Sequence, residues 1–259
     1  LWAAPADTVA FRRGDARISG DFEQAAVTTA ASATAADMVE TAASEASLAA
    51  ASVARKALAA ANDVLVANED LLGKIDAVAG DGDHGVGMTR GMRAAVAAAE
   101  ANAGGVGTLM RAAGDAFGDK AGGTSGMLWG VFLSAIGDSL GDTEPATPVR
   151  LSAAMKAGLD TMQRIGGAEV GDKTMIDALK PFVDALAAGV SSGTDLGNAW
   201  AGAAKIAVDA GAATADMVAR VGRARPLGER SVGTPDPGAT SMGMVLTAVH
   251  ETLASAGLC

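Results

Sequence analysis

From about residue 22 onward the apolar side chains recur at intervals of three, four and seven, and no other feature constrains the fold as much. Leu58, Ala61, Leu65, Leu72 and Ile75 share one helical face, and Met88, Met92, Ala95 and Ala99 share another. The same period predicts helices over 106–117, 127–140, 151–165, 176–189, 195–220 and 241–256. Pro181 lies inside one of them, which demands a kink or a place near a first turn. Composition agrees: aromatic residues make up 3% of the chain, there is no Tyr, and the 49% apolar share is mostly Ala. Ala is the best helix former, whereas β-branched and aromatic residues favour strands. The expectation is an all-α fold of about eight antiparallel amphipathic helices in a bundle or barrel.

Four glycine-rich loops interrupt the period, at 80–87, 118–126, 166–171 and 222–240. Alternate loops of an up-and-down bundle fall at the same end, so these four are expected to face one site. The first holds IDAVAGDGDHGVGM (75–88), with three aspartates and a histidine among glycines that are costly to order. GDGDHG formally matches G-x-G-x-x-G, but that fingerprint belongs between a strand and a helix, and the preceding segment reads as helix. An EF-hand fails as well, because Met92 stands where a bidentate Glu is required.

Asp76, Asp81 and Asp83 suit a hard divalent cation such as Mg²⁺, whose shell is completed by water and phosphate oxygens. A solvated acidic turn is the other reading. Gly85 and Gly87 place free amides at the start of the next helix, a ready anion site. GGTSG (122–126) repeats that offer with Thr124 and Ser125, unless those hydroxyls serve as ordinary N-caps. No G-x-x-x-x-G-K-[ST] exists in the chain, which excludes a P-loop. The third and fourth loops add Lys173, Arg223, Arg225 and Arg230. Each alone reads as a solvated charge; together they are cations near anion-binding loops.

A formal charge of −10 argues against nucleic acid and anionic membranes as partners. Cys259 is the only cysteine, so a disulfide framework is excluded. With no apolar run of membrane-spanning length and no leader pattern, the expected location is the cytoplasm. LWAAPADTVAFRRGDARISG carries no helical period and starts with Leu, so residues 1–21 read as a linker or the tail of something preceding, and 22–259 as the domain.

The segments IDAVAGDGDHG, GGTSG, AEVGDKTMIDAL and GRARPLGERSVGTPDPGATS, in that order, resemble the nucleotide-binding L domain of dihydroxyacetone kinases. The resemblance implies a barrel of eight amphipathic helices with ATP or ADP bound in the loops at one end. It implies that Asp76, Asp81 and Asp83 hold two Mg²⁺ ions. It places His84, Gly85, Thr124 and Ser125 at the phosphates, and Gly166, Met175, Arg223, Asp236 and Gly238 around the rest of the nucleotide. Two positions depart from the family's usual pattern: Gly87 replaces a frequent Asn, and Thr234 a frequent His. In one form of the family the L domain follows a K domain that binds the ketose through a histidine. In the other it is a separate subunit whose tightly bound ADP is rephosphorylated by a phosphotransfer protein. The N-terminal segment resembles the end of a K domain, which favours the fused, ATP-dependent form. The substrate implied is dihydroxyacetone or a related small ketose such as a tetrulose, and a homodimer through K domains would be usual. A helical module that binds nucleotide without transferring phosphate is the remaining reading.

Overall fold

The alanine-rich period folds as helix throughout the part of the chain that the computed structural model describes, residues 42–222 and 224–255. The proposed tail 1–21, the first residues of the proposed domain (22–41) and Arg223 lie outside the described residues. Among the described residues there are nine α-helices, two short 3₁₀ segments and no strand. The helices are α1 (Glu45–Ala67), α2 (Glu69–Asp76), α3 (His84–Ala101), α4 (Val106–Ala121) and α5 (Gly123–Leu140). They continue with α6 (Pro148–Gly166), α7 (Ile176–Ser191), α8 (Leu196–Ala213) and α9 (Pro237–Ser255).

Eight long helices form a closed ring. Each packs on the next in chain order from α3 to α9, and α9 and α3 both pack on α1, while short α2 lies against α3 and α9. This is the expected barrel, with α2 as an addition. The Leu58–Ile75 face is not one helix, because the chain breaks at Asn68, where φ is −114°. The 195–220 helix is shorter than the period suggested: it stops at Ala213 and passes into a 3₁₀ turn, Thr214–Asp216. Pro181 lies inside α7, in its second turn.

All five aromatic residues among the described ones are buried. Phe117 stacks on Trp129 at 5.8 Å, Trp129 meets Phe132 edge-on, and Phe182 meets Trp200 at 4.9 Å. Helices α4 and α5 also approach closely. A Cβ on Gly114 would stand 2.6 Å from the Gly130 carbonyl oxygen, and one on Gly130 would stand 2.9 Å from that of Gly114. Only glycine permits backbones to approach so nearly.

Short connections put the loops alternately at the two ends. At the far end the helix starts are closed by side chains. Ser44 accepts from the Ser47 amide in α1, Thr147 from Arg150 in α6, and Asp195 from Asn198 in α8. For α4, the Val106 amide donates to Ser47 Oγ and the Thr108 amide to Asp142 Oδ1. The orphan donors of those four first turns are therefore partly satisfied from within the protein. No helix among the described residues is long and apolar enough to cross a membrane.

Candidate functional site

The near end collects residues 77–83, the α4–α5 turn, the 167–175 loop and the 214–236 segment around one cleft of about 270 Å³. All four glycine-rich loops contribute lining residues, as the up-and-down topology requires. Helices α3, α5, α7 and α9 all begin here. The residues preceding α3 and α5 cap neither helix with a side chain, in contrast to the far end, although Asp76 accepts from the first amide of α3. The α5 helix starts at Gly123, four residues earlier than the period indicated. Gly122 and Gly123, with φ of +76° and +62°, reverse the chain through a single intervening residue. Thr124 and Ser125 are therefore first-turn residues and not N-caps, which leaves the α5 amides directed at the cleft. The C-termini of α4 and α6 end nearby, so the favourable potential for an anion comes from these local amides more than from a summed dipole.

The three aspartates line the same cleft. Asp76 is half-buried, Asp81 and Asp83 are exposed, and a carboxylate oxygen from each lies within 4.8 Å of the others. Mg²⁺ takes oxygens at about 2.0–2.1 Å, so opposite ligands of one ion stand about 4 Å apart. The observed spread, at most 4.8 Å, is close to that value. Gly80 packs on Asp76, and a Cβ there would fall 2.3 Å from Asp76 Oδ1. The donor set thus fits a hard divalent cation, and the backbone is shaped around its half-buried member.

His84 opens α3. Its amide donates to Asp76 Oδ2 at 3.3 Å, and its ring Nε2 lies 3.0 Å from Ser241 Oγ on α9. Burial lowers its pKa, against the pull of the Asp76 and Asp83 carboxylates and a hydrogen bond to the Pro237 backbone. Thr124, Ser125, Gly166, Met175, Asp236 and Gly238 all line the cleft, with Gly87 and Thr234 among them. Gly85 does not. It is buried against α2, where a Cβ would stand 2.0 Å from the Glu69 carbonyl oxygen. Its glycine is explained by helix packing. Arg225 and Arg230 are exposed and do not line the cleft.

Three residues carry more than their sequence context indicated. Asp177, in the first turn of α7, is buried, and its carboxylate accepts from the Gly171 and Thr174 amides at 2.5 and 2.7 Å, which fixes the 171–174 loop. Lys173, read from sequence as a solvated charge, is 4% exposed and donates to the Met217 and Ser231 carbonyls. Asp236 caps α9 by accepting from the Ala239 amide at 2.7 Å, with Pro237 as the first helical residue. That pairing is a helix-start signal present in the sequence, and α9 accordingly begins before residue 241.

Burial pushes the Asp236 carboxyl up to about 7, helped by the neighbouring Asp177 carboxylate and opposed by the Ala239 amide and the Lys173 ammonium. A raised folded-state pKa contributes stability at low pH that is lost as pH rises through it. We expect the thermal midpoint to fall between pH 4 and 7.5 by an amount that Asp236→Asn removes, since Asn still accepts from Ala239. A full three-unit shift would convert to ~4 kcal/mol; solvent screening of this partly exposed residue reduces that to about 2 kcal/mol. Parallel midpoints for both proteins across that range would contradict it.

A family model described as the DAK2 domain matches residues 78–251. The D-erythrulose kinase of Mycolicibacterium smegmatis is 44% identical over 261 residues, covering 99% of this chain and 45% of that protein. The L-erythrulose kinase of Pectobacterium atrosepticum is 44% identical over 98% of this chain and 43% of its own length. The ADP-binding subunit DhaL of the PEP-dependent dihydroxyacetone kinase of Escherichia coli is 35% identical, covering 70% of this chain and 86% of that subunit. The crystal structure of the dihydroxyacetone kinase from C. freundii in complex with AMP-PNP and Mg²⁺ matches with a TM-score of 0.61 and 26% identity. That match covers 87% of this chain and 37% of the other. The chain spans less than half the length of the erythrulose kinases it matches.

Proposed function

The chain belongs to the DAK2 domain family, and on that premise we propose that it is the nucleotide-binding, phosphoryl-donating domain of a small-ketose kinase. The observation that carries the proposal is the uncapped start of α5 and three clustered carboxylates lining one cleft. Amides without a protein acceptor bind phosphate oxygens, and the carboxylates hold the cation that lets an acidic protein accept a polyanion. Asp76, Asp81 and Asp83 would hold two Mg²⁺ ions, which supply neutralisation of charge on the transferred phosphoryl group. The α5 first turn with Thr124 and Ser125, and the α3 first turn with His84, would orient the phosphates. Gly166, Met175, Asp236 and Gly238, with Arg223 outside the described residues, would line the remainder of the nucleotide.

The ketose would be held by a K domain, either of the same polypeptide preceding a linker at 1–21 or as a separate subunit. The near-complete coverage of this chain by erythrulose kinases supports a fused enzyme and makes erythrulose the first substrate to test, before dihydroxyacetone. ATP as donor places the reaction in the cytoplasm.

The purified chain should release no stoichiometric nucleotide on denaturation and should bind ATP in calorimetry only when Mg²⁺ is present. ADP that co-purifies at one equivalent would instead assign the phosphotransfer-coupled form. Failure to bind either nucleotide would remove the proposal.

A further inference from the structure

Lys173 is the only non-glycine residue with positive φ among the described residues, at +64°. That conformation costs an L-residue roughly 1–2 kcal/mol relative to the ordinary helical region, and glycine would avoid the cost. The residue is nevertheless a lysine with a buried ammonium. Burial lowers its pKa, while the carboxylates of Asp236 and Asp216 act to keep it charged. A strained backbone and a buried cation at one position imply that the side chain does something that glycine would not.

Its contacts identify the task. Nζ donates to the Met217 carbonyl at 3.0 Å and to the Ser231 carbonyl at 2.6 Å. These two acceptors bracket residues 217–231, from which Ala219, Val221, Gly222, Ala224 and Ser231 line one wall of the cleft. A second tie runs from the Arg220 amide to the Asp172 carbonyl, and the 171–174 loop that supplies both ties is itself held by Asp177. The wall contains little regular structure beyond one 3₁₀ stretch, Arg225–Ser231. Other hydrogen bonds, such as the Ala219 amide to Ser231 Oγ and the Ser231 hydroxyl to the Gly228 carbonyl, hold the wall to itself, whereas the ties above join it to the start of α7.

We propose that Lys173 is a positioning residue, an ammonium latch that fastens the 217–231 wall to the start of α7 before nucleotide arrives. The inference rests on the proposed nucleotide site for its consequence, but the latch itself is a property of the protein alone. Because the wall is preformed, binding does not have to supply the free energy of ordering it.

The test uses Lys173→Gly, which suits the local backbone but removes the whole buried side chain, beside Lys173→Met, which keeps an apolar stem and loses the ammonium. Trypsin cuts after exposed Arg220 and Arg230 report opening of the wall, while a cut after Arg93 within α3 reports general unfolding. Two lost charge-assisted hydrogen bonds should raise the cleavage rate at Arg220 and Arg230 by about tenfold or more, leaving Arg93 unchanged. Saturating Mg²⁺–ATP should return the rate to that of the wild type, and ATP affinity should weaken by about tenfold at an unchanged Mg²⁺ requirement. Wild-type cleavage rates in these variants, or acceleration at Arg93 equal to that at Arg220, would overturn the latch. If wild-type protein binds no nucleotide, the functional proposal fails, and the ligand-free cleavage comparison still decides the latch.

Discussion

Replacing Asp81 and Asp83 together by Asn is expected to abolish Mg²⁺-dependent ATP binding while leaving the fold intact. Both side chains are exposed, and with Asp76 they form a cluster of like charge. The thermal midpoint should therefore stay within about 2 °C of the wild type, because exposed changes of this kind usually lie within ±0.5 kcal/mol. Binding responds differently. Mutating even the outer partners of a metal ligand typically costs 10–100-fold in affinity, so removing two ligands should cost at least about 100-fold. Calorimetric titration of ATP at fixed Mg²⁺, beside a thermal melt, measures both. Retention of Mg²⁺-dependent binding within a few-fold of the wild type would leave GDGDHG as an acidic turn.

Gly85→Ala should act in the opposite sense, on stability first. The added Cβ would stand 2.0 Å from the Glu69 carbonyl oxygen and 2.9 Å from its carbon, so backbone meets backbone and no side chain can rotate away. Helices α2 and α3 must separate where the first residue of α2 meets the first turn of α3. Overpacking of this kind costs up to about 3 kcal/mol, and the better helix propensity of Ala returns at most ~1 kcal/mol. For a domain of this size a net loss of 2–3 kcal/mol lowers the midpoint by roughly 4–12 °C. Gly202→Ala is the control, because a Cβ there on α8 meets nothing within 4 Å. It should hold or slightly raise the midpoint. A Gly85→Ala midpoint equal to that of the control would disprove the packing account.

The contrast between these two positions shows what the sequence discloses and what it conceals. The all-α barrel was legible because Leu58, Ala61, Leu65 and their counterparts keep the 3.6-residue period, and because Ala leaves few alternatives to helix. The aspartates were legible because their chemistry is local: three carboxylates in eight residues suggest a cation whatever surrounds them. A glycine beside His84 carries no local mark of what lies behind it. Only the position of Glu69, sixteen residues earlier, reveals that. Lys173 was read as solvated because the Met217 and Ser231 carbonyls reach it only once the chain has folded. The contact of His84 with Ser241 spans 157 residues and has no local signature. The starts of α5 and α9 were placed late for different reasons. Glycine has poor helix propensity, which hid Gly123, whereas the Asp236–Pro237 start was present in the residues.

The single-residue connection between α4 and α5 also bears on the order in which the molecule assembles. The entropy of closing a loop rises with the chain between its ends, so pairings made through one residue form at the least cost. Local pairings of this kind tend to form early, and they speed folding. The glycine-lined contact between these helices joins segments adjacent in sequence, and the turn inside it carries Thr124 and Ser125. The closure of the ring, by contrast, brings α9 to α1 across nearly the whole described chain. By this reasoning the part of the cleft that offers amides is in place while the 217–231 wall is still unformed. The site then becomes complete only when the last helix docks and Lys173 finds its two carbonyls.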